Sequence, residues 1–466
     1  MVEAPLVQVP QEEERLLAQH LRVRLDDVLE NIGLGWRHVL LVVAAGVANS
    51  TDAFEVFIVP FLLPEAEDDL KLSAAQKGWL ASTQFIGSFF GGILLGDLAD
   101  RRGRKRTLQL LLLGCFLSSF ASSFANSFGA LFVLRIFAGF FGGGAVPIAM
   151  PYVAEFLPPS RRGAWLFGFS LNWMCGAIVA TAIAWASLES LGWRVFVRLA
   201  ASASAVAGLL LCVVPESPRS ILVMQPNEEG VRRVARTLHH LRPSGSLQVD
   251  AVYDMLVQQQ YYAEDEEKLG VKAALQSVLG TDRKLFFSAL LTWFLIGFGF
   301  YGFFSWQPQY FSDFEEDSNY YLTMFLTSLA QLPGNLAGVA LVDRMGRRRI
   351  VFVSMLLSAV AMAGIMHVTS HTQLTLVACV ISAVQVFGWN ALSILSTELF
   401  SARMRTTLFG IFAASCRIGA ILVNLLFGYL FELSKQAPLY VSAAVSLLGG
   451  VVAIATLPRT RHFALD

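Results

Sequence analysis

The 466-residue chain carries 35 basic and 35 acidic residues, so its formal net charge is zero. Hydrophobic residues make up 55% of the chain and charged residues only 15%, whereas soluble domains carry about 25% charged residues. With a mean hydropathy of +0.57, this composition excludes a soluble or disordered protein, and the neutral balance argues against nucleic-acid binding. The sequence predicts an α-helical protein that crosses a membrane several times.

Apolar runs long enough to cross a bilayer recur along the whole chain, since a spanning helix needs roughly 20 mostly apolar residues. The twelve predicted spans lie at about 37–63, 78–98, 107–126, 129–153, 164–188, 193–214, 285–308, 320–342, 350–369, 374–398, 408–432 and 438–457. A polar segment divides them six and six. The predicted organisation is an N-terminal segment 1–36, a first bundle 37–214, a central loop 215–284, a second bundle 285–458 and a tail 459–466.

Basic residues are distributed unequally between the two sides of the predicted membrane. If the N-terminus is inside, the inner segments hold 28 of the 35 Lys and Arg residues and the outer loops hold four. Positive charge accumulates on the cytosolic side of membrane proteins. The distribution therefore predicts that both termini and the central loop are cytosolic, in either the plasma membrane or an intracellular vesicle membrane.

The two halves of the chain repeat a set of charged, glycine and proline residues at one offset. Five pairs are each separated by 243 positions: Asp100 and Asp343, Gly103 and Gly346, Glu155 and Glu398, Arg162 and Arg405, and Pro215 and Pro458. A shared offset at five positions indicates a duplicated six-helix unit. Transporters built from two parallel repeats bind their solute between them.

The loop motifs carry a resemblance to a known family. The run Gly96–Lys105 after the second span, with its copy Val342–Arg349 after the eighth, resembles the signature of the major facilitator superfamily. Arg135–Gly139 resembles its helix-4 motif, and Pro215–Arg219 is similar to its sugar and organic-ion branches. The resemblance implies the major facilitator fold, an all-α membrane protein of twelve transmembrane helices in two pseudo-symmetric six-helix bundles around a central cavity.

Further segments resemble the synaptic vesicle glycoprotein 2 family. They are Thr51–Phe57, Gly192–Phe196, Leu332–Asn335, Trp389–Leu392, Thr397–Leu399 and Arg405–Thr407. Vertebrate members carry a large luminal domain between the seventh and eighth helices, where this chain has only about residues 312–319. The resemblance therefore implies the transporter-like core of the family without that domain.

Two carboxylates in the first span are the sharpest candidates for function. Asp52 and Glu55 lie three residues apart and so share one helix face. A charge inside a span costs at least ~2.5 kcal/mol and usually marks a substrate or proton path. Glu55 and Arg135 have equal predicted depth and are expected to pair, while Asp52 lies level with Arg417 of the eleventh span. An Asp52–Arg417 contact would bridge the halves; a purely structural salt bridge is the alternative role for these charges.

Aromatic and amide side chains complete the predicted substrate and coupling set. Trp173, Tyr301 and Trp389 are candidates for a cavity lining, and Asn390 adjoins Trp389. Packing is the alternative for each of them, and Trp306, near a helix end, is expected at the membrane interface. Aromatic faces bind cations, so acids and aromatics together favour a cationic solute.

A second set of charged residues surrounds the loop motifs and is predicted to form a cytosolic gating network. Its members are Asp100, Arg101, Arg104, Glu155, Arg162, Asp343, Arg344, Arg347, Glu398 and Arg405. Rupture of such a network would permit the inner side to open. The alternative is that the basic loops simply retain these segments in the cytosol.

The predicted function is secondary active transport of a small organic solute by alternating access, with protons or a cation as candidate coupling ion. An organic cation, a nicotinate-like aromatic and a sugar remain open as substrates. The alternative is a non-transporting vesicle or membrane receptor or trafficking regulator on the same fold. No catalytic constellation is present, so an enzyme is not expected. We expect no cofactor, no metal and no nucleic acid, and a monomer whose partners are the solute and the lipid bilayer.

Overall fold

The computed structural model describes residues 25–225, 228–241, 249, 252–253, 271–312, 320–365, 367–400 and 402–458. Helices dominate, and no β-strand occurs in these ranges. Eight helical stretches are apolar enough over at least 18 residues to cross a membrane, and one of them is long enough for two crossings.

Twelve long helices form the body of the protein. They are α1 Trp36–Leu70, α2 Ala74–Leu94, α3 Arg104–Ser122, α4 Phe128–Ala154, α5 (159–191), α6 (193–213), α7 Arg283–Ser312, α8 Tyr320–Met345, α9 Arg347–Ile365, α10 His371–Glu398, α11 Ala402–Leu433 and α12 Ala437–Thr456. Helices α5 and α6 together make up the helical stretch Pro159–Val213. Short helices outside this set cover 25–32, Gly96–Arg102, Pro218–Met224, Glu228–Leu241 and Val271–Thr281.

The break between α5 and α6 has a single-residue cause. Gly192 has φ 75° and ψ 169°, a conformation that a residue with a Cβ atom rarely adopts. The chain therefore reverses there without a loop. The sequence predicted two separate spans here, at 164–188 and 193–214.

The first helix is longer than predicted. At 1.5 Å per residue, its 35 residues extend about 52 Å, well beyond the roughly 30 Å of a hydrocarbon core. The last turns of α1 carry Glu65, Glu67 and Asp69. These carboxylates consequently lie beyond the predicted first span, which ends at residue 63.

The helices pack into two halves with matching neighbours. In the first half α1 packs along α5, α2 packs on α4, and α3 packs on α4 and α6. In the second half α7 packs along α11, α8 packs on α10, and α9 packs on α10 and α12. The halves meet through α2–α11, α5–α8 and α1–α7 contacts. Under the 243-residue repeat, the α2–α11 and α5–α8 contacts are equivalent.

The α2–α11 contact depends on two glycines. A Cβ atom on Gly428 would lie 2.6 Å from the Ala74 carbonyl oxygen and 2.7 Å from the Gly78 Cα atom. Small residues let spanning helices approach at backbone distance. The two halves are thus in direct backbone contact at this point.

An even number of spans places both ends of the described chain on one side, which we call the terminal face; the other side is the opposite face. At the terminal face, residues 25–32 bury Leu25, Val28 and Leu29 in a cluster that includes Leu238 of the helix Glu228–Leu241. Residues 25–32 and the helix Glu228–Leu241 thus pack against the first half.

Candidate functional site

A cavity of about 440 Å³ lies between the two halves. Six predicted substrate and coupling residues line it: Asp52, Trp173, Tyr301, Trp389, Asn390 and Arg417. They come from α1, α5, α7, α10 and α11, so both halves contribute. A volume of this size is typical of sites for small organic ligands.

Asp52 faces the cavity with both carboxylate oxygens hydrogen-bonded. Oδ2 accepts from the indole Nε1 of Trp173 at 3.2 Å, and Oδ1 accepts from the Gln84 amide at 3.4 Å. Trp173 can reach Asp52 because α5 lies close to α1, where a Cβ atom on Gly176 would be 2.9 Å from the Ser50 carbonyl oxygen. Gln84 was not among the predicted site residues, although a glutamine within an apolar span is a visible signal.

Arg417 faces the cavity from α11. Among the residues that the structure describes, none lies within ion-pair distance of this guanidinium or accepts a hydrogen bond from it, and Asp52 acts on it only at longer range. The expected Asp52–Arg417 contact is therefore a facing pair of charges rather than a salt bridge in this conformation.

Aromatic rings line the α7 and α10 side of the cavity. The Trp389 ring lies edge-on to Trp293 at 5.5 Å and to Tyr301 at 6.0 Å between centroids, and Phe300 lies 5.6 Å away. Trp293 donates its Nε1–H to the Ser396 hydroxyl at 2.8 Å. Trp293 and Phe300 were not among the predicted lining residues, because depth along the chain does not show which way a ring points.

The predicted position of Trp306 at the membrane interface is wrong. Its position near a helix end predicted an interface residue, but the side chain is fully buried. The indole donates to Asn424 Oδ1 at 2.9 Å and stacks on Phe431. Since α7 continues to Ser312, Trp306 lies inside the second half, packed against α11.

Two asparagines line the cavity side by side. The Asn390 amide donates to Asn335 Oδ1 at 3.1 Å, and the Asn335 amide lies 3.4 Å from Met174 Sδ in the other half. Amides supply both donors and acceptors, so this edge of the cavity is suited to polar groups of a solute.

Glu55 and Arg135 form a buried ion pair outside the cavity. Arg135 Nη2 lies 2.6 Å from Glu55 Oε2, and both side chains have 0% exposure. Arg135 also donates to the Ser119 hydroxyl at 3.0 Å and to the Glu55 carbonyl at 3.2 Å, while Cys115 Sγ lies 3.5 Å from Glu55 Oε1. Asp52 and Glu55 thus share a helix but contact different neighbours: Asp52 meets the cavity, and Glu55 is enclosed between α1, α3 and α4.

Equivalent ion pairs occur at the terminal face of each half. Arg104 lies 2.8 Å from Glu155, and Arg347 lies 3.0 Å from Glu398. The two pairs are related by the 243-residue offset. Each joins neighbouring helices of one half, α3 to α4 or α9 to α10, and neither bridges the halves.

Among the remaining members of the predicted gating network, Arg162 has an acidic partner from outside the set. Arg162 pairs with Asp26 at 2.7 Å and donates to the Leu157 carbonyl at 3.1 Å. Arg101 and Arg344 are exposed and Arg405 is half-buried. The side chains of Asp100 and Asp343 lie outside the described residues.

Glu216 and Ser217 also belong to this face, although sequence reasoning gave them no role beyond a family resemblance. Glu216 accepts from the backbone N–H groups of Lys105 at 2.8 Å and Arg106 at 3.3 Å. A carboxylate there satisfies unpaired N–H groups at the start of α3. The Ser217 hydroxyl donates to Glu155, so the segment after α6 is tied to the Arg104–Glu155 pair.

At the opposite face, polar contacts cross between the halves. The Tyr321 hydroxyl donates to Glu65 Oε1 at 2.9 Å, and the Gln309 amide donates to Glu67 Oε2 at 3.3 Å. Lys77 pairs with Glu67 at 2.6 Å. Glu65 and Glu67 were missed because the predicted first span ended at residue 63. Within the described ranges, no group of three or more His, Cys, Asp or Glu side chains is arranged to hold a metal ion.

Comparison with known proteins identifies the class. A family profile described as "Sugar (and other) transporter" matches residues 43–466. The chain therefore belongs to this family of membrane transporters, and it is a secondary transporter of a small solute rather than an enzyme. The predicted major facilitator fold of twelve helices in two six-helix bundles is confirmed.

Individual relatives agree with this assignment. Synaptic vesicle glycoprotein 2B of Homo sapiens is 27% identical over 98% of this chain and 87% of its own length. Synaptic vesicle glycoprotein 2A of Rattus norvegicus is 26% identical over 96% of this chain and 80% of its own length. An inward-open structure of the xylose transporter XylE from E. coli superposes with a TM-score of 0.74 at 17% identity, covering 91% of this chain and 97% of XylE. The resemblance stated from the motifs is confirmed.

Proposed function

We propose that the protein is a proton-coupled transporter that moves a small organic solute through the central cavity by alternating access. The observation that carries the proposal is the arrangement of two carboxylates one helical turn apart on α1. Asp52 meets the cavity, while Glu55 is enclosed with Arg135 at 2.6 Å. A solute and a proton arriving through the cavity therefore meet a carboxylate that lies beside a buried ion pair.

The chemistry of this arrangement favours coupling. The Glu55 carboxylate is already engaged by Arg135, whereas, among the described residues, Asp52 accepts hydrogen bonds only from the uncharged Trp173 and Gln84 side chains. Asp52 lines the cavity and Glu55 is enclosed, so a proton that enters through the cavity meets Asp52 first. The fold relative XylE is itself described as a proton:xylose symporter.

The distribution of contacts supports a cytosol-facing conformation with the terminal face in the cytosol. Contacts of Glu65 and Glu67 join the halves at the opposite face, whereas the Arg104–Glu155 and Arg347–Glu398 pairs remain within single halves. The excess of basic residues favours the same orientation. Transport would then require the opposite-face contacts to break while the halves close over the terminal end of the cavity.

Uptake into proteoliposomes tests this function. Purified protein is reconstituted and supplied with radiolabelled organic cations, nicotinate and hexoses, with and without an inward proton gradient. Gradient-driven uptake of one class, lost in Asp52→Asn and kept in Glu432→Gln, supports the proposal. Glu432 is a suitable control because it is an exposed carboxylate at the end of α11. Failure of a folded, thermally stable protein to take up any class would favour the non-transporting receptor instead.

A further inference from the structure

Three arginines lie within the predicted spans, and two of them have side-chain partners outside the cavity. Arg135 pairs with Glu55, and Arg198 donates to the Ser123 hydroxyl at 3.2 Å while lying over the Phe124 ring. Arg417 has no such partner among the described residues and lines the cavity. A charged side chain inside the membrane is costly unless it is paired or serves a substrate path. Its position therefore leaves a place for an anionic group.

The charge of the cavity depends on one proton. Several groups act on Asp52 from the packed helices: Arg417 on α11, Trp173 on α5, Glu55 on α1, Gln84 on α2 and Tyr301 on α7. Arg135 on α4 neutralises Glu55. With Asp52 ionised, Asp52 and Arg417 balance each other. With Asp52 protonated, the cavity carries one uncompensated positive charge.

The aromatic side chains that line the cavity indicate the chemistry of the rest of the ligand. Trp389, Phe300 and Tyr301 present flat aromatic surfaces, which favour offset or edge-on contact with another ring. With Asp52 protonated, a neutral sugar would leave Arg417 uncompensated, and an organic cation would be repelled by it. Acids and aromatics alone favoured a cation; the unpartnered Arg417 reverses that preference.

We infer that the cavity binds a small aromatic carboxylate, with its carboxylate on Arg417, together with one proton on Asp52. The inference rests on the proposed transport function and names its substrate class and stoichiometry. The proton comes from water to a carboxylate oxygen of Asp52, and the negative charge of the solute replaces that of Asp52 beside Arg417. One anion and one proton enter and leave together, so the translocation is electroneutral.

Three probes with the same ring and different charge test the substrate class. Benzoate, benzamide and benzylammonium carry charges of minus one, zero and plus one, and benzoate stays ionised above about pH 5. Binding is measured by calorimetry on purified wild-type protein. Benzoate is expected to bind most tightly, and its affinity falls by up to about tenfold per pH unit once Asp52 ionises. Preference for either other probe, or no binding of any probe, overturns the inference.

Two variants assign the roles, and a third is the control. Arg417→Gln is expected to weaken benzoate binding roughly 10- to 100-fold, since a hydrogen bond to a charged group is lost. Asp52→Asn is expected to bind benzoate with an affinity independent of pH. Arg198→Gln, a substitution of a spanning arginine that does not line the cavity, should match the wild type. Unchanged benzoate binding in Arg417→Gln, or a retained pH dependence in Asp52→Asn, contradicts the assignment.

Binding and transport fail separately in this design. If benzoate binds as expected but is not carried into proteoliposomes, the transport function is wrong and the anion site stands. If a neutral or cationic solute is carried on a proton gradient while benzoate does not bind, the transport function stands and the anion site is wrong.

Discussion

The largest predicted effect of one substitution on stability concerns the buried Glu55–Arg135 pair. In Glu55→Gln the Arg135 guanidinium would keep the Ser119 hydroxyl and the Glu55 carbonyl but lose the carboxylate 2.6 Å away. Both side chains have 0% exposure, so water cannot replace the lost partner. Removal of one partner of such a pair costs about 3–5 kcal/mol. We expect Glu55→Gln to lose that much free energy of unfolding.

A double-mutant cycle separates this cost from ordinary loss of packing. Arg135→Met should be similarly destabilised because Glu55 is then the unpaired buried charge. The double variant Glu55→Gln/Arg135→Met should be nearer the wild type, since no unpaired charge remains. The assay is the free energy of unfolding in a denaturant titration of the purified protein in mixed micelles. Single variants that cost less than about 1 kcal/mol, or effects that simply add, would refute the reasoning.

Three further predictions concern the two faces. Gly428→Val should separate α11 from α2 at the opposite face. An impermeant thiol reagent added at that face should then label Cys416, which lines the cavity, more strongly than in the wild type; unchanged labelling contradicts this. Glu398→Gln removes a partly exposed pair with Arg347 and should cost at most about 1 kcal/mol in a melting experiment; a cost of several kcal/mol would show that the pair is more than a local contact. Hydrogen bonds from the hydroxyl and amide at the start of α5 lower the pKa of Glu30 below its ordinary 4.5. Because the folded pKa is depressed, this contribution is present above pH 4.5 and is lost as pH falls through the lower folded value. The hydrogen-exchange protection of residues 25–32, relative to the intrinsic exchange rate at each pH, should therefore fall there in wild type and stay constant in Glu30→Gln.

The sequence was informative wherever position along the chain determines structure. Apolar runs gave the twelve spans, and the 243-residue offset anticipated that Arg104–Glu155 and Arg347–Glu398 would occupy equivalent places. Depth alone also brought Glu55 level with Arg135. These features follow from the 1.5 Å rise of a helix and from duplication.

Rotation of each helix about its axis was not accessible from one sequence. Asp52 and Glu55 share a face by spacing, yet one meets the cavity and the other is enclosed, because α3 and α4 cover only the second. Gln84 could not be assigned to Asp52, and the lack of a partner for Arg417 could not be foreseen. Side-chain partners between distant helices depend on how the helices pack, which spacing does not specify.

The coupled movement of solute and proton is the central claim, and it can be observed directly. Proteoliposomes loaded with a pH-sensitive dye are supplied with a transported solute at equal internal and external pH. The account predicts that solute entry acidifies the lumen in the wild type, and that Asp52→Asn no longer couples entry to acidification. Solute entry without acidification in the wild type, or equal acidification in Asp52→Asn, would contradict it.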